Sequence, residues 1–149
     1  MYVGAGFSRP FFCFCLGARR GVRAGDWNLG MKTTAQLYKW DDVVLENVRD
    51  GISRKYVAGD REMVAQIYLA RGATVPTHSH ESEQLTYVLT GALTFTLDGR
   101  DITVHAGELL RIPSWMPHSA SAVEDTFELD LFSPIRQDWI DGTDDYFRT

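Results

Sequence analysis

Cysteine is nearly absent from this sequence, and the only two, Cys13 and Cys15, both lie within the first 30 of its 149 residues. A single residue between them places them poorly for an ordinary disulfide, and residues 31–149 contain no cysteine at all. A disulfide framework is therefore excluded for the body of the chain. This cysteine usage is typical of a cytoplasmic protein.

Two further absences limit the possible partners. The formal net charge is -5, whereas proteins that bind nucleic acid without regard to sequence rely on an excess of Lys and Arg to neutralise phosphates. The sequence also has no run of 18 apolar residues that could span a bilayer. We therefore expect a soluble protein that binds a small molecule, and neither nucleic acid nor a membrane.

Residues 1–30 differ in character from the rest of the chain. They carry four arginines against one aspartate, and their apolar stretch, residues 11–16, is shorter than the usual core of a secretion signal. Two interpretations stay open: a poorly ordered extension, or upstream sequence read into the chain because Met31 is the true start. We predict an N-terminal extension over residues 1–30 and one domain over residues 31–149, a typical length for a single domain.

The pattern from residue 62 onward is that of β-strands, after a lead-in at residues 31–60. Apolar side chains alternate with others in EMVAQIYLA, and QLTYVLTG and ALTFTLDGRDITVHAG continue the period of two. Asp98 and Gly99 are a favoured pair for a tight hairpin turn, and Pro113 and Pro117 bound another turn. Two more strands follow, and only the tail, RQDWIDGTDDYFR, favours a short helix. The sequence predicts an all-β sandwich or barrel with a short C-terminal helical tail.

Three of the four histidines lie in two short segments, THSHESEQ and RIPSWMPH. His78 and His80 are two residues apart, so on an extended segment both side chains project to the same face, and His118 must come from a distant strand. Three imidazoles bind Zn, Fe, Ni, Cu or Mn and leave room on the ion for water or substrate. The alternative is that His78 and His80 are surface loop residues aligned by chance.

The glutamine that follows the histidine pair is the expected fourth ligand. Gln84 shares the parity of His78 and His80, whereas Glu81 and Glu83 have the opposite parity and should face away. A bulge that shifts the strand by one residue would instead present Glu83. Because an amide is neutral, it would leave a divalent ion with its full charge, which favours polarising a substrate oxygen over redox cycling.

Both segments resemble the two sequence motifs of the cupins. GATVPTHSHESEQLTYVLTG fits the first motif, and GRDITVHAGELLRIPSWMPH is similar to the second, although His105 stands where proline is common. The resemblance implies a double-stranded β-helix, that is, a jelly-roll barrel, and a homodimer. It also implies one divalent metal ion per subunit, of open identity among Zn, Ni, Fe and Mn, held by His78, His80, Gln84 and His118. His105 itself is interpreted as a surface turn residue.

The last strand, TFELDLFS, has two chemically different faces. If Phe127, Leu129 and Leu131 pack between the sheets, then Glu128, Asp130 and Phe132 look into the barrel mouth. An acid and an aromatic residue would then lie together near the metal. Arg136 would reach back to the same place from just beyond Pro134.

The segment DLFSPIRQD resembles a pattern in the small pectin-degradation cupins that linearise 4,5-unsaturated uronates. The resemblance implies that Asp130 is the acid/base group, that Arg136 pairs with the carboxylate of a sugar acid, and that Phe132 packs on the sugar ring. It predicts a metal-dependent enzyme of isomerase or lyase type. The alternative for this segment is that it closes the barrel, with Trp139 and Tyr146 covering the end. The alternatives are a metal-dependent dioxygenase and a non-enzymatic cupin that binds or senses sugar.

Overall fold

β-Strands dominate residues 34–148, which are the residues described by the structure, a computed structural model. The ten strands of this part of the chain are β1 (Glu46–Arg49), β2 (Ile52–Ala58), β3 (Met63–Leu69), β4 (Thr74–His78), β5 (Glu83–Thr90), β6 (Ala92–Leu97), β7 (Arg100–His105), β8 (Leu109–Ile112), β9 (His118–Ala122) and β10 (Thr126–Ser133). A 3-10 helix (Trp40–Asp42) precedes them, and α1 (Gln137–Asp141) and α2 (Asp145–Arg148) follow. The all-β class with a short helical tail is confirmed, and the predicted extension, residues 1–30, lies outside the described residues.

The strands form two antiparallel sheets. One has the order β1-β2-β3-β10-β5-β8 and the other the order β4-β9-β6-β7. Strands far apart in sequence are neighbours within each sheet, so the chain crosses repeatedly from one sheet to the other. Apolar side chains from both sheets pack together in one buried core, which is the arrangement of a jelly-roll barrel. The predicted double-stranded β-helix is confirmed.

Tight turns occur where the sequence motifs place glycine. Asp98 and Gly99 have φ angles of 49° and 73° and join β6 to β7, as the Asp-Gly pair predicts. Gly91, at the end of the first motif, has a φ of 85°, and a Cβ there would collide with the backbone carbonyl of Asp125. Only glycine suits that position, because it needs both a positive φ and the space of a missing side chain.

The interpretation of residues 31–60 as a lead-in is wrong over β1 and β2, which belong to the six-stranded sheet. The side chain of Arg54, in β2, faces the interior with no exposed surface. It lies 2.8 Å from Glu46 in β1 and 2.7 Å from Asp144, which is also fully buried, and its guanidinium lies 4.1 Å from the ring of Trp139. These contacts fix the segment between α1 and α2 against the sheet.

The register of the six-stranded sheet determines which polar side chains lie next to each other in the interior. On the inner face, where β10 pairs with both β3 and β5, Asp130 lies between Ala65 and Thr86, and Phe132 lies between Met63 and Gln84. The inward orientation expected for Glu128, Asp130 and Phe132 is confirmed, since all three are buried. The expectation that Phe127, Leu129 and Leu131 pack between the sheets is wrong, because they project from the outer face of the same strand.

No helix within the described residues has the length and apolar character needed to cross a membrane.

Candidate metal centre

Three histidines converge on one end of the barrel interior. His78 is the last residue of β4, His118 is the first of β9, and the antiparallel pairing of these strands sets the two residues opposite each other. His80 lies in the loop that leads to β5. Their candidate ligand atoms all lie within 4.8 Å of one another, and the rings of His78 and His118 are 4.3 Å apart. The pairing of β4 with β9 and the short loop after His78 produce the cluster, so the regular strand assumed from His78 to Gln84 is wrong: β4 ends at His78 and β5 begins at Glu83.

Each imidazole is held in the tautomer that a metal requires. The Nδ1 atoms of His78, His80 and His118 lie 2.9, 2.8 and 2.8 Å from the carbonyl oxygens of Pro76, Ser82 and Met116. A carbonyl oxygen can only accept a hydrogen bond, so each Nδ1 carries the proton and donates it. This tautomer places a lone pair and not a hydrogen on Nε2, which is the atom of each ring that can bind an ion.

Gln84 completes this donor set from β5, which belongs to the opposite sheet. Its Nε2 donates to the hydroxyl of Thr86 over 2.8 Å, which leaves its Oε1 facing Nε2 of His80 at 3.2 Å. Two atoms that can only accept, so close together, repel each other unless a cation lies between them. Ligand atoms bound to one ion at about 2.1 Å are themselves roughly 3–4 Å apart. The four side chains therefore fit a divalent metal, and a small contraction of the histidine cluster would close the site around it.

The other candidate ligands of the sequence lie elsewhere. Glu83 is on the outer side of β5, where it forms an ion pair of 2.5 Å with Arg111, and both side chains are exposed. Glu81 is exposed in the preceding loop, and His105 is exposed at the end of β7. Among the described residues, only His78, His80 and His118 form a cluster of three possible histidine, cysteine or carboxylate ligands.

Burial keeps the three imidazoles neutral at physiological pH. It lowers the pKa of His78 to about 3 and that of His80 to about 4, and it lowers the pKa of His118 as well. The desolvation of a charged ring is the main cause, and the nearby Arg136 guanidinium and the neighbouring imidazoles act in the same direction. Neutral imidazoles are the form that binds metal, so protons compete weakly for this site.

The remaining predicted site residues share a cavity with three of the four candidate metal ligands. It is lined by His78, Gln84, His118, Asp130, Phe132 and Arg136. Asp130 accepts a hydrogen bond of 2.5 Å from Thr86, and burial raises its pKa to about 6, an effect that this hydrogen bond partly offsets. Phe132 packs edge-on against His80 at 5.7 Å and Trp139 at 5.1 Å. A carboxyl group, an aromatic ring and a cation thus surround the same space as the metal ligands.

Arg136 is already paired within the chain. Its Nε and Nη2 atoms donate to the two oxygens of Asp138 at 2.9 and 2.6 Å, and Nη2 also donates to the hydroxyl of Tyr146. The ring of Tyr146 stacks on His78 at 4.3 Å, so the helical tail covers this end of the barrel. Asp138 takes Nε and one hydrogen of Nη2, and Tyr146 takes the other hydrogen of Nη2, so an incoming carboxylate could use the Nη1 and Nη2 edge only if Tyr146 moved aside.

Sequence reasoning gave no role to two polar residues of the interior. Thr86 is completely buried between Gln84 and Asp130, and Glu128 is 5% exposed and lines the cavity. Within the described part of the chain, Oε2 of Glu128 has no hydrogen-bond partner. Parity alone could have placed Thr86 beside Gln84, whereas its contact with Asp130 depends on the register of β5 against β10.

Glu128→Gln is expected to stabilise the metal-free protein at pH 8. Burial, together with the neighbouring Asp130, raises the pKa of Glu128 well above its ordinary value of 4.5. A carboxyl whose pKa is higher in the folded state than in the unfolded state stabilises the fold below the unfolded value, and this stabilisation is lost as pH rises. The amide avoids that loss, so we expect a gain of about 1–3 kcal/mol at pH 8 and almost none near pH 4.

Thermal unfolding of chelator-treated protein between pH 4 and pH 8 measures this effect. The matched control is Glu62→Gln, because Glu62 is exposed. A gain that did not depend on pH, or one shared by the control, would contradict the buried-carboxyl explanation.

Known proteins share this architecture. A family model of the cupin domain matches residues 66–133. Among solved structures, KdgF from Halomonas sp. is 31% identical, with a TM-score of 0.66, and the match covers 71% of this chain and 99% of that chain. No curated protein matches the chain.

More distant structures support the fold alone. An RmlC-like cupin from Shewanella frigidimarina is 24% identical with a TM-score of 0.66, over 71% of this chain and 96% of that chain. The oxalate decarboxylase of Bacillus subtilis is 23% identical with a TM-score of 0.61, over 68% of this chain and 30% of its own. At this level of identity, a shared barrel does not imply a shared reaction.

Proposed function

The chain belongs to the cupin family, and from that premise we propose that it is a metal-dependent enzyme that linearises 4,5-unsaturated uronates to keto acids. The observation that carries the proposal is the single cavity in which metal ligands, a buried acid and a buried arginine meet, formed by His78, Gln84, His118, Asp130 and Arg136. A small sugar acid needs all three kinds of group. The likeness to KdgF extends over almost the whole of that chain, so it is not confined to the two motifs.

The reaction would be an isomerisation that needs no co-reactant. A proton leaves the anomeric hydroxyl, the bond between C1 and the ring oxygen breaks, and a proton reaches C4, so that the enol ether becomes an aldehyde and a ketone. A divalent ion held by His78, His80, Gln84 and His118 would polarise substrate oxygens. Asp130 would move the proton, and the Arg136 guanidinium would bind the carboxylate.

The cavity walls would provide orientation and exclude water. Phe132 is 2% exposed and its ring lies 5.3 Å from the guanidinium of Arg136, so it would pack on the sugar while that arginine holds the carboxylate. Tyr146 lies over His78, so entry of the sugar would require its ring to move aside. Once the sugar is bound, the same ring would shield the reaction from solvent.

A direct assay tests this function. The metal-loaded protein is mixed with an unsaturated uronate released by a polysaccharide lyase, and the loss of ultraviolet absorbance from the ring double bond is followed. We expect the loss to be accelerated by metal-loaded protein and not by chelator-treated protein. Equal rates with loaded protein and with metal alone would reject uronate linearisation, and tight binding of the sugar without turnover would favour a sugar-binding role instead.

We further propose that two copies associate through the outer face of the six-stranded sheet. Much of this outer face is apolar, whereas the solvent side of an antiparallel sheet is usually polar. Its apolar residues are Val64, Leu85, Tyr87, Leu109, Leu129 and Leu131, while Gln66 lies opposite Leu129 and the Glu83 and Arg111 ion pair lies on the same face. Leu109 is 56% and Leu131 is 40% exposed, so a second copy would bury surface that the single chain leaves to water.

Leu131→Asp is expected to convert the dimer to a monomer, because it places a charge at the centre of the outer face. Light scattering coupled to gel filtration measures the mass. Val123→Asp is the control, since Val123 is 45% exposed in a turn away from the outer face. A parent protein that is already monomeric at high micromolar concentration would reject this association.

A further inference from the structure

A buried chain of hydrogen bonds connects the proposed acid/base group to a metal ligand. Nε2 of Gln84 donates to Oγ1 of Thr86 over 2.8 Å, and Oγ1 of Thr86 donates to Oδ1 of Asp130 over 2.5 Å. All three side chains are at most 5% exposed, and Thr86 is completely buried. Water therefore does not compete for these contacts, and each donor must find its acceptor within the protein.

The direction of this chain is determined by the single hydrogen of the threonine hydroxyl. Because that hydrogen goes to the carboxyl group of Asp130, the oxygen of Thr86 can only accept from Gln84. The amide of Gln84 must then turn its NH2 group toward Thr86, and its Oε1 is left facing His80 at 3.2 Å. A flipped amide would present NH2 to the metal position, and an NH2 group cannot bind a cation.

We propose that Thr86 is a positioning residue of the metal centre. Its hydroxyl donates to Asp130, so its oxygen can only accept from the NH2 group of Gln84, and this relay of two hydrogen bonds keeps the amide oxygen of Gln84 directed at the ion. Asp130 then has two tasks: one oxygen holds this relay, and the carboxyl group serves the substrate. The register of the sheet makes this arrangement rigid, since Thr86 lies directly opposite Asp130 across the β5 and β10 pairing. Neither residue needs to touch the metal.

The relay also explains why an amide stands at position 84. A glutamate there would place two acceptors, its own carboxylate and that of Asp130, on either side of one hydroxyl with one hydrogen. One of the two would lose its donor inside the protein, and such a loss is costly. With Gln84 and Asp130, the hydroxyl of Thr86 has one donor and one acceptor as neighbours. A glutamate at 84 combined with an asparagine at 130 would also supply one acceptor and one donor.

The first test compares Thr86→Val with Thr86→Ser. Valine keeps the shape and removes the hydroxyl, whereas serine keeps the hydroxyl and removes a methyl group. Affinity for Zn2+, measured by competition with a chromogenic chelator, is expected to fall about 10–100-fold in Thr86→Val and to stay within about threefold of the parent in Thr86→Ser. A Thr86→Val protein that binds Zn2+ as tightly as the parent would overturn the proposal, as would equal losses in the two variants.

A second test keeps Thr86 unchanged and reads the unfolding temperature of the metal-free protein at pH 8. Gln84→Glu is expected to lower that temperature, and Asp130→Asn in the same chain is expected to recover most of the loss, because the relay then runs in the opposite direction. Additive changes in the double variant would contradict the relay. This test remains decisive if Thr86→Val does not fold.

The inference rests on the metal centre of the proposed function and not on its substrate. If Thr86→Val loses Zn2+ affinity while the parent does not act on uronates, the relay stands and only the proposed substrate fails. If the parent acts on uronates and Thr86→Val keeps its Zn2+ affinity, the proposed substrate stands and only the relay fails.

Discussion

His118→Ala is expected to bind a divalent ion roughly 100–1,000-fold more weakly than the parent protein. The binding of a four-ligand structural metal is worth about 10–16 kcal/mol, so one ligand accounts for about 2.5–4 kcal/mol, and each 1.4 kcal/mol is a factor of ten. The two remaining imidazoles and the amide of Gln84 would form an incomplete site. Protein purified after metal loading and dialysis should therefore contain little metal.

His105→Ala is the matched control for this loss. His105 is the remaining histidine of the chain and is exposed at the end of β7, outside the cluster. Metal content by mass spectrometry and Zn2+ affinity by chelator competition should both equal those of the parent. If the two alanine variants retained equal amounts of metal, the ligand assignment would be wrong.

Local pattern was sufficient to predict the part of the fold that surrounds the metal centre. The alternation of apolar side chains identified the strands from β3 onward, and Asp98 with Gly99 identified the hairpin. The close spacing of His78 and His80 brought them together even though β4 ends at His78 and a short loop follows. The assignment of all four ligands stays a prediction, which the His118→Ala variant tests.

Strand β2 shows why other parts could not be predicted. Its inward positions include Arg54, which breaks the apolar alternation that identifies a buried strand. The arginine is stable in the interior because Glu46 and Asp144 neutralise it, and Asp144 is 90 residues farther along the chain. That contact cannot be predicted from the residues close to Arg54 in the sequence.

For β10, the face that is buried could not be predicted from the distribution of apolar residues. Phe127, Leu129 and Leu131 have the apolar character of a core face, yet the polar Glu128 and Asp130 point inward. The interior is polar here because it forms the wall of the cavity that holds the metal ligands. Hydrophobic alternation identifies a two-faced strand, but it cannot say which face is inside when the barrel encloses a polar site and its outer face is apolar.

Asp130→Asn is expected to lower the turnover of an unsaturated uronate by about 100-fold or more while the metal content stays at the level of the parent. Asparagine has nearly the same shape, and its Oδ1 can still accept the hydrogen bond from Thr86 that the structure shows at 2.5 Å. It cannot exchange a proton with the substrate, so only the chemical step should suffer. A fall in the turnover number with little change in KM is the signature of that loss.

Asp101→Asn is a suitable control. Asp101 is exposed on β7 and contacts Thr96 on the neighbouring strand, and neither residue lines the cavity. It should keep the full rate. Metal content must be measured in the same samples, since a variant that had lost its ion would be inactive for another reason. An Asp130→Asn protein that keeps its metal and turns over within threefold of the parent would show that proton transfer comes from another group, and Glu128, two residues earlier on the same inward face, would become the candidate.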